Sequence, residues 1–378
     1  MACLNVRKFG PITRIDSSRT GLDERKVTML IGPQGSGKST LLKLFCACHW
    51  LEKAFCKGIL GEKDFQSADL LRRQFAYFRM SSYEQECTVI DYQGDVLHIG
   101  YRHGKLETKI MQGGHAAAKL LYVPSERNVI ALMKDYKAMR KLPDNLLDFM
   151  GDYDSAKMVM TGNRTLGLPE TEASYDAGGD QMWVIHGKQK TKLEEAASGY
   201  QSLAPLKLTV EWAGSLDGEN DSDSLEKRKA RQNRKTTDTV NALHGGFLNF
   251  VEEPEQNLYP DAQVRILHFL LAVANMRSSN SVMLTTHSPY LLNGLTLAVK
   301  AAQILKANKK FGRATAKIVP LASVVSDDDY AVWQLDEKGV VRRLDELHGL
   351  PLDDNLLNTA MGKFNSDFGK LQEMEDGD

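Results

Sequence analysis

Short apolar runs recur along the chain, and several stop abruptly at glycine, acids or other polar residues. Leu4 to Phe9 alternates and ends in Gly10-Pro11, which predicts an edge strand and a turn. Val27 to Ile31 is a β-rich apolar run that meets glycine at once. Ser39 to Phe55 then places Leu41, Leu42, Leu44, Phe45, Cys48 and Leu51 at helical spacing, so strand, glycine-rich turn and helix follow in order. Val89 to Arg102 reads as a hairpin and Asp144 to Met160 as a helix. Leu206 to Trp212 alternates and predicts a strand. Phe247 to Val251 reads as a buried strand, Asp261 to Met276 as a helix and Ser281 to Thr285 as another buried strand. Ile318 to Leu321, Ala331 to Leu335 and Val340 to Leu344 predict a short terminal β unit, and the acidic tail from Glu373 to Asp378 is expected to fray. Ser215 to Asp238 is polar, acidic at first and basic from Lys227 to Lys235. No internal repeat and no sustained heptad occurs, so a long coiled coil is not expected.

Composition narrows the class. The chain has 378 residues, 42% hydrophobic and 26% charged, which excludes wholesale disorder, collagen and a disulfide-dense mini-protein. The formal net charge is −1, so any contact with nucleic acid must be a local patch. The apolar stretch Ile266 to Ala274 carries His268 and falls well short of the roughly 20 residues of a membrane span, so no membrane partner is expected. Met1 to Arg7 reads as a strand rather than a signal peptide. Five cysteines, an odd number without paired metal spacing, predict reduced thiols and a cytoplasmic setting. Cys46 and Cys48 read as small buried apolar residues rather than ligands.

The strongest chemical signal is Gly32-Pro33-Gln34-Gly35-Ser36-Gly37-Lys38-Ser39-Thr40, which matches G-x-x-x-x-G-K-[ST] in full. Glycines let successive N–H groups turn inward as an anion nest, and the following helix adds its positive end. Lys38 would reach the β- and γ-phosphates, and the Ser39 hydroxyl would ligate Mg²⁺. A second apolar strand ends in Glu252-Glu253-Pro254-Glu255, which places carboxylates at a sheet edge. We assign Glu252 to the metal and Glu253 to the attacking water. A third ends in Thr286-His287-Ser288-Pro289, where an imidazole would report a γ-phosphate. Ala197-Ser198-Gly199-Tyr200-Gln201 forms a Ser-Gly turn opening a helix, a second anion-binding device.

Together these stretches resemble the ATP-binding-cassette ATPases of the Rad50, SMC and RecF type, and more closely their compact AAA15 or OLD-like branch. The resemblance runs from Phe9-Gly10-Pro11 to about Leu344. It rests on Gly32 to Thr40 as Walker A, Ser198-Gly199-Tyr200-Gln201 as signature, Glu252-Glu253-Pro254-Glu255 as Walker B and His287 as the switch histidine. Tyr122-Val-Pro-Ser-Glu-Arg127-Asn128 also resembles a segment of that branch. Tyr200 stands where many cassettes have glycine, and Glu252 where aspartate is commoner. Gln74 and Gln85 are both candidates for the family's glutamine loop.

The resemblance implies an α/β P-loop NTPase of ABC-ATPase head type: a mixed sheet with flanking helices and a helical lobe. The head would span 1–350, with a nucleotide-binding lobe from 1–125 and 240–350. An inserted signature lobe would span 126–239, with its charged segment at 215–238, and 351–378 would be a C-terminal extension. The implied cofactors are ATP and Mg²⁺. Two heads would close over two ATPs, with Ser198, Gly199 and Gln201 of one copy facing the phosphates held at Lys38 of the other. The extension is too short for the nuclease fused in OLD enzymes. Stand-alone ATPases of this branch serve anti-phage systems such as PARIS and Septu. The resemblance thus implies a switch that controls a separate nuclease or toxin and answers a phage-encoded trigger. A DNA-binding ATPase of the RecF or Rad50 kind, resting on Lys227 to Lys235, and an ATP-bound scaffold with little turnover are the alternatives.

Overall fold

The computed structural model describes residues 2–16, 21–111, 117–133, 142–215 and 244–375. Strands from both ends of the chain build one 12-stranded mixed sheet. In chain order they are β1 (Cys3–Phe9), β2 (Ile12–Asp16), β3 (Leu22–Asp23), β4 (Val27–Ile31), β5 (Val89–Gln93), β6 (Leu97–Arg102), β7 (Lys105–Ile110) and β8 (Ala117–Val123). After a separate small sheet, β9 (Arg164–Thr165), β10 (Thr171–Asp176), β11 (Gln181–His186) and β12 (Gln189–Lys192), come β13 (His244–Glu252), β14 (Ser281–Thr286), β15 (Tyr330–Leu335) and β16 (Val340–Arg343). The large sheet runs β7-β6-β5-β1-β2-β16-β15-β4-β14-β13-β8, with β3 on β1.

The centre is parallel and the flank antiparallel. β15, β4, β14, β13 and β8 pair in parallel, whereas β2, β1, β5, β6 and β7 form a meander. Parallel strands are covered on both faces, and β4 is buried throughout. Val27, Met29 and Ile31 face one apolar core and Leu30 the other, as a two-residue period requires.

Helices α1 (Lys38–Cys56) and α2 (Asp69–Tyr77) pack on the core that contains Leu30. Helices α3 (Asp144–Met158), α4 (Ser198–Ser215), α5 (Pro260–Asn275) and α6 (Pro289–Ala307) pack on the opposite core. Cys46 and Cys48 are buried in α1. Helix α7 (Leu356–Glu375) follows, with Phe364, Phe368, Leu371 and Met374 well exposed. It runs through Glu373, where fraying is expected. No long coiled coil occurs, and no helix is long and apolar enough to cross a membrane, among the described residues.

Two expected strands are absent, and one sheet was not foreseen. Leu206 to Trp212 lies inside α4. Its alternation misleads because α4 is buried nearly all round, so apolar residues fall on every face and no period stands out. Ile318 to Leu321 forms turns leading into a 3₁₀ turn at Leu321–Ser323, since Pro320 supplies no ladder donor. Between α3 and α4 lies the antiparallel sheet β9 to β12, in a region read as helical. The charged stretch from Leu216 to Asp238, including Lys227 to Lys235, lies outside the described residues.

Candidate functional site

Topology gathers the motifs. β4, β14 and β13 are neighbours and parallel, so their carboxyl ends leave the sheet side by side. β4 delivers Gly32 to Thr40, β13 delivers Glu252 and Glu253, and β14 delivers Thr286 and His287. Ligands of open α/β sheets bind at this edge.

The loop after β4 turns back on itself through glycines. Gly35 has φ 78°, and Gly37, at φ 106°, caps α1 at its start. Gly32 has φ 148°, and a Cβ there would stand 2.3 Å from the Leu335 carbonyl oxygen. Only glycine fits that approach. Gln34 and Gly35 are exposed, Pro33 and Ser39 are half-buried, and Ser36 and Thr40 are buried. The Ser36 hydroxyl is buried without a hydrogen-bond partner.

Lys38 lies inside the loop with 4% exposure. Its Nζ donates to the carbonyl oxygens of Gly32 and Pro33, both at 2.8 Å. Burial pushes its pKa down to about 8, while the charges of Glu253 and Glu255 oppose the fall. Nζ also lies 3.4 Å from His287 Nδ1, and His287 Nε2 lies 3.2 Å from Glu253 Oε1. A lysine ammonium only donates, so Nδ1 accepts and the assigned ring proton sits on Nε2, facing Glu253. The His287 hydrogen bond first, with the charges of Lys38 and Arg127 assisting, holds the Glu253 carboxyl below its ordinary range against the opposing effect of burial. Lys38, His287 and Glu253 thus form one polar chain across three strand ends.

Glu252 points inward at 2% exposure. Its Oε1 lies 3.4 Å from Lys43 Nζ, and its Oε2 accepts from the Ser125 N–H at 3.3 Å. Tyr122 is buried beside it, and its pKa is pushed well up by burial first and by Glu252 next. Glu255 accepts from the Thr286 hydroxyl at 2.7 Å and the His287 N–H at 2.8 Å, and so shapes the turn that presents the imidazole. Burial raises its pKa.

The remaining expected residues lie apart. Ser198 is exposed at the start of α4, and Gly199 rests on the loop beyond β13. Among the described residues, no hydrogen bond joins Ser198, Gly199 or Gln201 to residues 32–40. The Gln201 side-chain amide instead donates to the Glu194 and Ala196 carbonyls at 3.1 and 3.0 Å, bracing the approach to α4.

The two glutamine-loop candidates lie away from the ends of β13 and β14. Gln74 lies within α2, and Gln85 lies ahead of β5 with its N–H on Thr88 Oγ1. The strand beside β13 is β8, and the loop leaving it reads Pro124-Ser125-Glu126-Arg127, without glutamine. Glu255, Lys43 and the guanidinium of Arg127 were not assigned roles from sequence. Glu255 stood within the quoted acidic run and Arg127 within the quoted Tyr122–Asn128 segment, while Lys43 carried no local signal.

The donor set suits a triphosphate with a hard cation. An orphaned hydroxyl at Ser36 and a lysine parked on loop carbonyls fit phosphate oxygens. The Ser39 hydroxyl and the Glu252 carboxylate are oxygen donors of the kind Mg²⁺ takes. Among the described residues, no group of three or more His, Cys, Asp and Glu residues is arranged to hold a metal by itself.

Comparison with known proteins places similarity in the same region. Residues 245–293, from β13 into α6, match the family described as "AAA domain, putative AbiEii toxin, Type IV TA system". A stretch of 66 residues is 33% identical to the sulfate/thiosulfate import ATP-binding protein CysA of Bradyrhizobium diazoefficiens. It covers 18% of this chain and 17% of that protein. Among solved structures, an SMC head bound to the C-winged helix domain of ScpA aligns with a TM-score of 0.43 at 9% identity, over 90% of this chain and 96% of that one. The SMC head domain of Thermotoga maritima aligns with a TM-score of 0.36 at 13% identity, over 77% and 90%.

Proposed function

We propose that this chain is an ATP-binding and ATP-hydrolysing switch whose heads close on one another over nucleotide and control a separate effector. The observation that carries the reading is the chain Lys38–His287–Glu253, with contacts of 3.4 and 3.2 Å, at the ends of adjacent strands. A triphosphate in the loop offers Lys38 better acceptors than the Gly32 and Pro33 carbonyls. Movement of Lys38 onto phosphate removes the cation from His287 Nδ1, and the imidazole, with its Nε2–H turned from Glu253, can then donate to the γ-phosphate. Glu253, kept ionised, then orients and deprotonates water. Bound Mg²⁺, held by Ser39 and through water by Glu252, would neutralise the developing phosphate charge.

Ser198 supports the assembly half of the reading. It is exposed on a helix start and does not serve the loop of its own chain, so a second copy would bring it there. The resemblance to stand-alone anti-phage ATPases supports the effector half. Glu253→Gln tests both. ATP binding should persist, phosphate release should fall about 100-fold or more, and mass in ATP and Mg²⁺ should rise to a closed assembly. Expressed with its genomic neighbours, the trapped form should retain a nuclease or toxin. Unchanged turnover removes Glu253 from its role, unchanged mass removes the closure, and an assembly without such a protein removes effector control.

A further inference from the structure

Arg127 has 0% exposure. Its Nη1 donates to the carbonyl oxygens of Glu252 at 2.7 Å and Pro124 at 3.1 Å, its Nη2 to that of Glu253 at 2.7 Å, and its Nε to that of Ser202 at 3.3 Å. Burial lowers its pKa to about 10, opposed by the charges of Glu255, Glu253, Glu252 and Glu126. Burying a cation on carbonyls is costly, and an apolar side chain would fill the space at less cost. What the fork adds is fixed geometry among backbone segments far apart in sequence.

One of those segments is strained. Glu253 has φ 41°, in the left-handed region that non-glycine residues avoid. Its N–H is held by Thr285, at 3.1 Å to the carbonyl oxygen and 3.2 Å to Oγ1. Its carbonyl oxygen accepts from Arg127 and from the Gln256 N–H at 3.1 Å. The peptide is therefore pinned from both sides in the turn that aims the carboxylate at His287. Ser202 belongs to the opening turns of α4, whose start touches the same loop from another direction. A Cβ on Gly199 would stand 2.8 Å from the Asn257 carbonyl oxygen, and Asn257 too is left-handed at φ 61°.

We propose that Arg127 is a positioning residue: it holds the strained Glu253 peptide and ties it to the start of α4, so that docking at Ser198 is felt at Glu253. This rests on the reading that Glu253 serves ATP hydrolysis. The test is Arg127→Lys in the full chain, alone and combined with Glu253→Gln. A lysine keeps the charge but cannot span the set of carbonyls. ATP affinity should stay within about threefold of wild type while turnover falls at least about tenfold, and Arg127→Lys should add little to Glu253→Gln.

Turnover within about threefold of wild type overturns the proposal, and so does a full additive loss in the double variant. If Glu253→Gln alone leaves turnover intact, the reading beneath has failed and the proposal fails with it. If Glu253→Gln acts and Arg127→Lys does not, the proposal alone fails. Should Arg127→Lys not fold, hydrogen exchange of the wild type decides. On adding ATP and Mg²⁺, segments 198–203, 124–127 and 252–257 should change protection together, and a change confined to 198–203 overturns the link.

Discussion

At Lys38 two effects oppose one another. Burial disfavours the ammonium, the charges of Glu253 and Glu255 favour it, and burial wins, leaving the pKa at about 8. A bound triphosphate would restore the charged form and raise that value. Nucleotide binding above the free-state pKa must then take up a proton, and affinity must fall as pH rises through it. Calorimetry in two buffers of different ionisation heat should show proton uptake at roughly pH 8.5 and little from this group near pH 7. Absence of uptake at the higher pH would remove Lys38 from phosphate contact. Lys38, Glu253 and His287 were legible in the sequence because each sits where an apolar run stops at chemistry-bearing residues. Arg127 was not, since its partners lie up to 126 positions away. Lys43 was hidden in the same way: only the folded sheet brings it to Glu252.

At the scale of elements, the loop depends on how closely β4 passes its neighbour β15. Gly32→Ala would drive a Cβ into the Leu335 carbonyl oxygen at a φ that alanine resists. The expected cost is about 3 kcal/mol of stability together with loss of ATP binding, seen in thermal unfolding and titration. Wild-type stability in that variant would contradict this close approach of Gly32 to Leu335. Strands β4, β13 and β14 were readable because strands buried on both faces keep near-continuous apolar runs. Helix α4 was misread for the corresponding reason: a helix buried all round loses its 3.6-residue signature, and Leu206, Leu208, Val210 and Trp212 imitate a strand. The sheet β9 to β12 gave weaker cues, because its strands are short and carry mixed exposure.

For the whole molecule, what matters is which strands end beside which. The order β4-β14-β13-β8 sets the glycine loop, the histidine turn, the acidic pair and the Pro124–Arg127 loop along one edge, although they lie far apart in the chain. Lys38, Glu253, His287 and Ser198 were expected from sequence around one triphosphate; strand order and side-chain contacts bring the first three together along this edge. Ser198 stands outside this set within one copy, which is why the proposed function requires two. The account therefore stands on a triphosphate site at this edge. The most direct measurement is equilibrium titration of the full chain with ATP and Mg²⁺, for the wild type and for Lys38→Ala. The wild type should bind saturably and the variant at least about tenfold more weakly, with its thermal unfolding little changed in the absence of nucleotide. Equal binding by the two proteins, or no binding by the wild type, would contradict it.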